Sequence, residues 1–60
     1  MRKFNVIFEV FSESGQKETK TVAVEAGNKK LAALRGMQAI NKLDGYSEKF
    51  KNVIQIEEVE

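Results

Sequence analysis

The chain contains no histidine, no cysteine, no proline and no tryptophan. Without histidine, no side chain titrates near neutral pH at its ordinary value, so acid–base catalysis has no ready group. Ser12, Ser14 and Ser47 have no base to activate them. Cysteine is absent, which excludes a disulfide, and together with the missing histidine it excludes a zinc set. The four glycines are dispersed and form no phosphate-cradling loop. Asp44 with Glu48, and Glu57 with Glu58 and Glu60, lack the loop geometry of a calcium site. No apolar run is long enough to span a bilayer, and Asn5 and Glu9 interrupt any signal-peptide core. These absences predict a protein that is not an enzyme, uses no cofactor or metal, and is cytoplasmic rather than membrane-bound.

What is present is the composition of a folded domain. The sequence has 60 residues, 42% hydrophobic and 32% charged, with a formal net charge of +1. That reads as a single small α+β domain over residues 1–60, near the lower size limit for folding without a staple. A core of about ten to fifteen apolar side chains leaves a stability of roughly 3–5 kcal/mol. Self-association would add buried surface to so small a chain, so its size alone suggests a homodimer.

Hydrophobic periodicity supplies the elements. Residues 3–11 alternate with period two, placing Phe4, Val6, Phe8 and Val10 on one face and Asn5, Ile7, Glu9 and Phe11 on the other. Residues 12–17 are polar around Gly15 and predict a hairpin loop. A second strand over 18–26 puts Val22, Val24 and Ala26 on one face, with Thr19, Thr21, Ala23 and Glu25 opposite. Gly27 breaks it, and Asn28 is a good N-cap for a helix over 29–43. At about 100° per residue, Ala32, Ala33, Gly36, Met37, Ile40 and Leu43 make one apolar face. Gly36 costs about 1 kcal/mol in a helix interior; on the buried face it permits close approach to the sheet, opposite a Phe. Asp44-Gly45 predicts a glycine C′ stop. Tyr46 and Phe50, spaced i,i+4, predict a short turn capping the core, which makes Tyr46 a core cap rather than an acid. Residues 52–59 predict a third strand with Ile54 and Ile56 toward the helix. A right-handed crossover then gives a three-stranded antiparallel sheet of order 2-1-3 with one helix on one face.

Charge and exposed apolar residues suggest three surfaces. The open sheet face should carry Ile7, Phe11, Ala23, Val53 and Val59, and it is the leading candidate for binding a protein partner, centred on Ile7, Phe11 and Val53. The helix begins with Lys29 and Lys30, where cations oppose the dipole and an anion is welcome. Arg35, Gln38 and Lys42, continued by Lys49 and Lys51, form an outer stripe able to follow a nucleic-acid backbone. Charges on the two edge strands, Lys17, Lys20, Glu57 and Glu58, guard against uncontrolled strand addition.

Two resemblances follow. The segment Asn28-Lys29-Lys30-Leu31-Ala32, ending in Ala39-Ile40, resembles the last helix of double-stranded-RNA-binding domains. That likeness implies phosphate contacts from Lys29 and Lys30. Ala33 stands where that family usually has a further lysine, and the family's N-terminal helix is missing. The whole layout is also similar to small phage and prophage proteins, through its Lys-Phe-Asn-Val-Ile-Phe opening, Gly hairpin, Ala-rich helix and Glu-rich last strand. This implies a binding or accessory role. The leading expectation is therefore protein–protein association through the open sheet face. Its alternative is nucleic-acid binding through Lys29, Lys30, Arg35 and Lys42.

Overall fold

Alternation in the first strand decides the architecture, because every second residue of it is driven out of water. In the computed structural model, which describes residues 1–59, Phe4, Val6, Phe8 and Val10 are all at most 1% exposed. They belong to β1 (Arg2–Phe11), followed by β2 (Lys17–Ala26), α1 (Lys29–Asn41) and β3 (Phe50–Val59). Both β2 and β3 pair antiparallel with β1, giving the expected order β2-β1-β3 and a ββαβ, α+β arrangement. Glu60, counted above among the C-terminal acids, lies outside the described residues.

The hairpin follows from Gly15, whose φ of +87° suits a residue without Cβ. Its N–H donates to Ser12 O at 3.0 Å, and Ser12 N–H donates to Gln16 O at 2.9 Å, so the loop closes tightly onto the register of β1 and β2. Asn28 caps α1 as expected, its Oδ1 accepting from Leu31 N–H at 2.9 Å. The helix rests mainly along β2 and burys Ala32, Gly36 and Ile40 against the sheet. A Cβ on Gly36 would lie 2.9 Å from Cβ, Cγ1 and Cγ2 of Val6. The close approach is real, but its partner is Val6 of the central strand, not a Phe.

The helix stops earlier than its pattern suggests. Lys42 is the C-cap, and its N–H reaches Ala39 O and Ile40 O, so the last turn tightens before Leu43 can join it. Leu43 N–H donates to Ile40 O, Tyr46 N–H to Leu43 O, and Lys49 N–H to Tyr46 O, at 3.1–3.2 Å. Gly45, with φ +80°, is therefore not the helix C′ residue but the third residue of the middle turn, where positive φ is required in type II. Tyr46 packs on the core as expected, whereas Phe50 is already the first residue of β3.

The third strand contains an irregularity that alternation does not reveal. Val6 faces Ile56 and Ile7 faces Gln55, but Phe8 faces Val53, so Ile54 is an extra residue in a β-bulge. Of the pair expected toward the helix, Ile56 packs on the core and Ile54 is 51% exposed.

One clamp ties the far end together. Arg2 Nε donates to Glu58 Oε2 at 2.6 Å, Nη2 donates to Glu58 Oε1, and Nη1 reaches Gly27 O at 3.4 Å. The guanidinium carbon lies 5.4 Å from the Phe4 ring centroid. Start of β1, end of β3 and entry to α1 are thereby joined.

Two predictions follow from this packing. Gly36→Ala gains about 1 kcal/mol of helix propensity but forces Val6 aside, at a cost of about 1–3 kcal/mol. The expected result is a lower urea midpoint with unchanged slope; a higher midpoint would refute the close contact. For the clamp, hydrogen bonds and charge from Arg2, with a smaller contribution from Lys29, hold the Glu58 carboxyl below its ordinary value. A folded value below the unfolded one means stabilisation above the unfolded value, lost as pH falls through the folded one. The pair is exposed, so the effect is small. Wild type should exceed Glu58→Gln in urea midpoint at neutral pH, with the difference vanishing in acid; a pH-independent difference would exclude the clamp as its source.

Candidate functional site

Among the described residues, α1 covers one face of the sheet and no layer covers the other. Register places Lys3, Asn5, Ile7, Glu9 and Phe11 there from β1, and Glu25, Ala23, Thr21, Thr19 and Lys17 opposite them on β2. Ile7, half-buried at the centre, is flanked by Thr21 and Gln55. At the hairpin end Phe11 faces Phe50, with ring centroids 5.8 Å apart and planes tilted by 47°. A tilted pair at this separation lies within the contact range of two rings on neighbouring strands. Phe50 is 65% exposed, whereas Phe11 is half-buried. Val59 faces Lys3 at the opposite end.

Val53 is not part of this face. The bulge shifts the parity of β3, so Val53 sits beside the buried Phe8 on the helix side, and Phe50 with Asn52 takes the place expected for it. Of the three residues expected to centre the surface, Ile7 and Phe11 are there and Val53 is replaced by Phe50. The i,i+4 spacing of Tyr46 and Phe50 hid this, because it reads equally well as a helical turn.

Electrostatically the face is close to neutral. It carries Lys3 and Lys17 against Glu9, Glu25 and Glu57, and Lys17 Nζ lies 3.9 Å from Glu9 Oε2. A hollow of about 320 Å³ lies at one end, lined by Lys3, Asn5, Ala23, Glu25 and Val59. Another of about 380 Å³ lies at the other end, lined by Phe11, Glu13, Glu48, Lys49 and Phe50. Among the described residues, no group of three or more acidic, His or Cys side chains gathers in a way that suits a metal ion.

The outer stripe of Arg35, Gln38 and Lys42 is not continued by Lys49 and Lys51, and the two lysines at the helix start stand apart from it. Arg35 and Lys42, seven apart, lie within about 20° of each other around the helix. Lys29 is instead in line with the buried Gly36 and acts on Glu58, and Lys30 flanks the opposite side. Arg35 Nη1 donates to Glu25 O at 3.2 Å. The proposed continuation fails for a physical reason. Lys51 Nζ donates to Tyr46 O at 2.7 Å, Lys49 O at 3.0 Å and Ser47 O at 3.4 Å, so it holds the turn beneath it. Lys49 lies 3.8 Å from Glu18 and 4.8 Å from the Tyr46 ring centroid, with Lys20 at 5.8 Å from the same ring. The Tyr46 hydroxyl donates to Glu18 Oε1 at 3.0 Å, and this bond, with partial burial, raises the phenol above its ordinary value.

No protein-family model, curated protein or solved structure matches the chain. Among the described residues, no helix is long and apolar enough to cross a membrane.

The role of Lys51 is testable. Lys51→Met keeps the aliphatic stem and deletes the donor to the three carbonyls. Amide exchange at Tyr46 and Lys49 should then quicken about tenfold, the loss of one charge-assisted hydrogen bond. Unchanged exchange would mean the ammonium does not hold this turn.

Proposed function

We propose that this protein is a cytoplasmic, non-enzymatic binding module that associates through its open sheet face, with a second copy of itself as the partner. The observation that carries this reading is the largely exposed Phe50 paired with Phe11 on a face that no described residue covers. Overall shape supports it. The chain exposes 4325 Å², against about 3,950 Å² for a compact monomer of this size. Its radius of gyration is 11.4 Å, against about 10.4 Å for 60 compact residues. A two-layer molecule this thin gains from a third layer.

Charge favours a second copy on this face in particular. Its near-neutral balance lets two such faces meet with little repulsion, which the cationic outward face of α1 does not allow. Sheet packing at about 10 Å would interdigitate Ile7, Phe11 and Phe50 with their counterparts. Strand spacing and rise give the face roughly 14 × 33 Å, or about 450 Å². Two copies then cover about 900 Å², below the ~1,200 Å² of a standard stable interface. The dimer should be weak and reversible.

Sedimentation across a concentration series tests this. The wild type should shift reversibly from monomer to dimer at high concentration. Phe50→Glu should remain monomeric with an unchanged fold, since Phe50 contributes nothing to the buried core. A wild type that stays monomeric throughout, or a Phe50→Glu variant that dimerises equally, would overturn the reading.

A further inference from the structure

The outward face of α1 differs from the open sheet face in both charge and chemistry. The helix itself contains Lys29, Lys30 and Arg35, its C-cap is Lys42, and there is no acidic residue from 29 to 43. Among the described residues, none of these four cations has a salt bridge within 4.0 Å. Around the axis, Gln38 lies directly opposite the buried line through Gly36 and Ile40. Leu31 and Leu34 lie on either side of it, 43% and 57% exposed. Beyond Leu34 comes Lys30, and beyond Leu31 come Lys42 and Arg35. A small apolar centre is therefore bordered on both sides by cations without a salt bridge, Arg35 also donating to the Glu25 carbonyl, an arrangement of interfaces in miniature.

We propose that this outward face is a second docking surface, which receives an acidic segment of another protein carrying apolar side chains of its own. The leucines decide between occupants. A phosphate backbone would satisfy Lys30, Arg35 and Lys42 and leave Leu31 and Leu34 in water. An acidic segment with leucine or similar side chains satisfies both sets. A lipid surface fits less well, because the other apolar face of α1 is committed to the core and two leucines offer little to insert. A second copy is disfavoured on this face by its own charge. The proposal is independent of self-association through the sheet, which uses the opposite side of the molecule.

The test is an amide-resolved NMR titration of the full chain with a short peptide of glutamates and leucines, the leucines at i, i+3 and i+4 spacing. Parallel titrations use poly-glutamate of equal length, duplex RNA and anionic phosphatidylglycerol vesicles. The expected result is a set of shifts at Lys30, Leu31, Leu34, Arg35, Gln38 and Lys42 with the glutamate–leucine peptide. Leu34→Ser should weaken it about tenfold, the loss of one leucine's burial. Lys30→Glu/Lys42→Glu should abolish it, whereas Phe50→Glu should leave it unchanged. All these positions are exposed, so a dispersed spectrum verifies that each variant is folded. Equal binding of poly-glutamate with no effect of Leu34→Ser would reduce the surface to bare charge and overturn the proposal. So would tighter binding of duplex RNA or vesicles at the same residues, or no response to the peptide at all.

Discussion

The contact between Gly36 and Val6 sets the distance between the two layers, and most of the structure depends on it. Any side chain at position 36 would meet Val6 at 2.9 Å, so only glycine lets the helix backbone settle onto the central strand. Ala32 and Ile40, one turn to each side, then reach full burial. Small residues at the point of contact leave room for Phe4 and Phe8 to fill the space at each end. A core of this size has few side chains to spare, and close packing extracts more from each of them. The helix also sits toward β2, which leaves the outer strand β3 with much of its apolar surface exposed.

Legibility of the fold in the sequence tracked how local its causes were. The first two strands, the hairpin, the Asn28 cap and the strand order follow from alternation, turn chemistry and handedness, and all are present. The apolar spacing runs on through Leu43 and Gly45 offers an obvious stop, so the pattern overshoots the helix end at Asn41. The deciding factor was a set of consecutive tight turns from Ile40 to Lys49, which leaves no periodic signature. The bulge in the third strand leaves no mark on its alternation. In the run Phe50-Lys51-Asn52-Val53-Ile54-Gln55-Ile56, adjacent Val53 and Ile54 satisfy either parity, and only pairing with β1 chooses between them. The candidate surface inherited that ambiguity, so Ile7 and Phe11 were legible in it and Phe50 was not.

Charge separates the two exposed surfaces more clearly than hydrophobicity does. Both carry apolar side chains, but the sheet side mixes three glutamates with two lysines, while the charged side chains on the outward face of α1 are all cations. Like faces attract one another only if their own charges do not repel, which suits the sheet. A uniformly cationic face selects for an unlike partner and sets its approach by long-range attraction, which suits the helix. Two layers thus offer two chemistries, and neither requires the other to change shape.

The bulge at Ile54 connects these features. If β3 kept the parity of Gln55 and Glu57, Val53 and Lys51 would share the open face, and Phe50 would turn toward the helix side. That side is already closed by Tyr46, whose ring lies between Lys20 and Lys49 and whose hydroxyl is bonded to Glu18. One extra residue reverses the arrangement. Lys51 now reaches the carbonyls of the turn that holds Tyr46, and Phe50 is delivered to Phe11 on the uncovered face. Bulges commonly re-aim side chains in this way at the margins of sheets. Here the same irregularity anchors the loop and builds the aromatic pair, so the part of the strand that departs from regular pairing is the part on which the proposed contact surface rests.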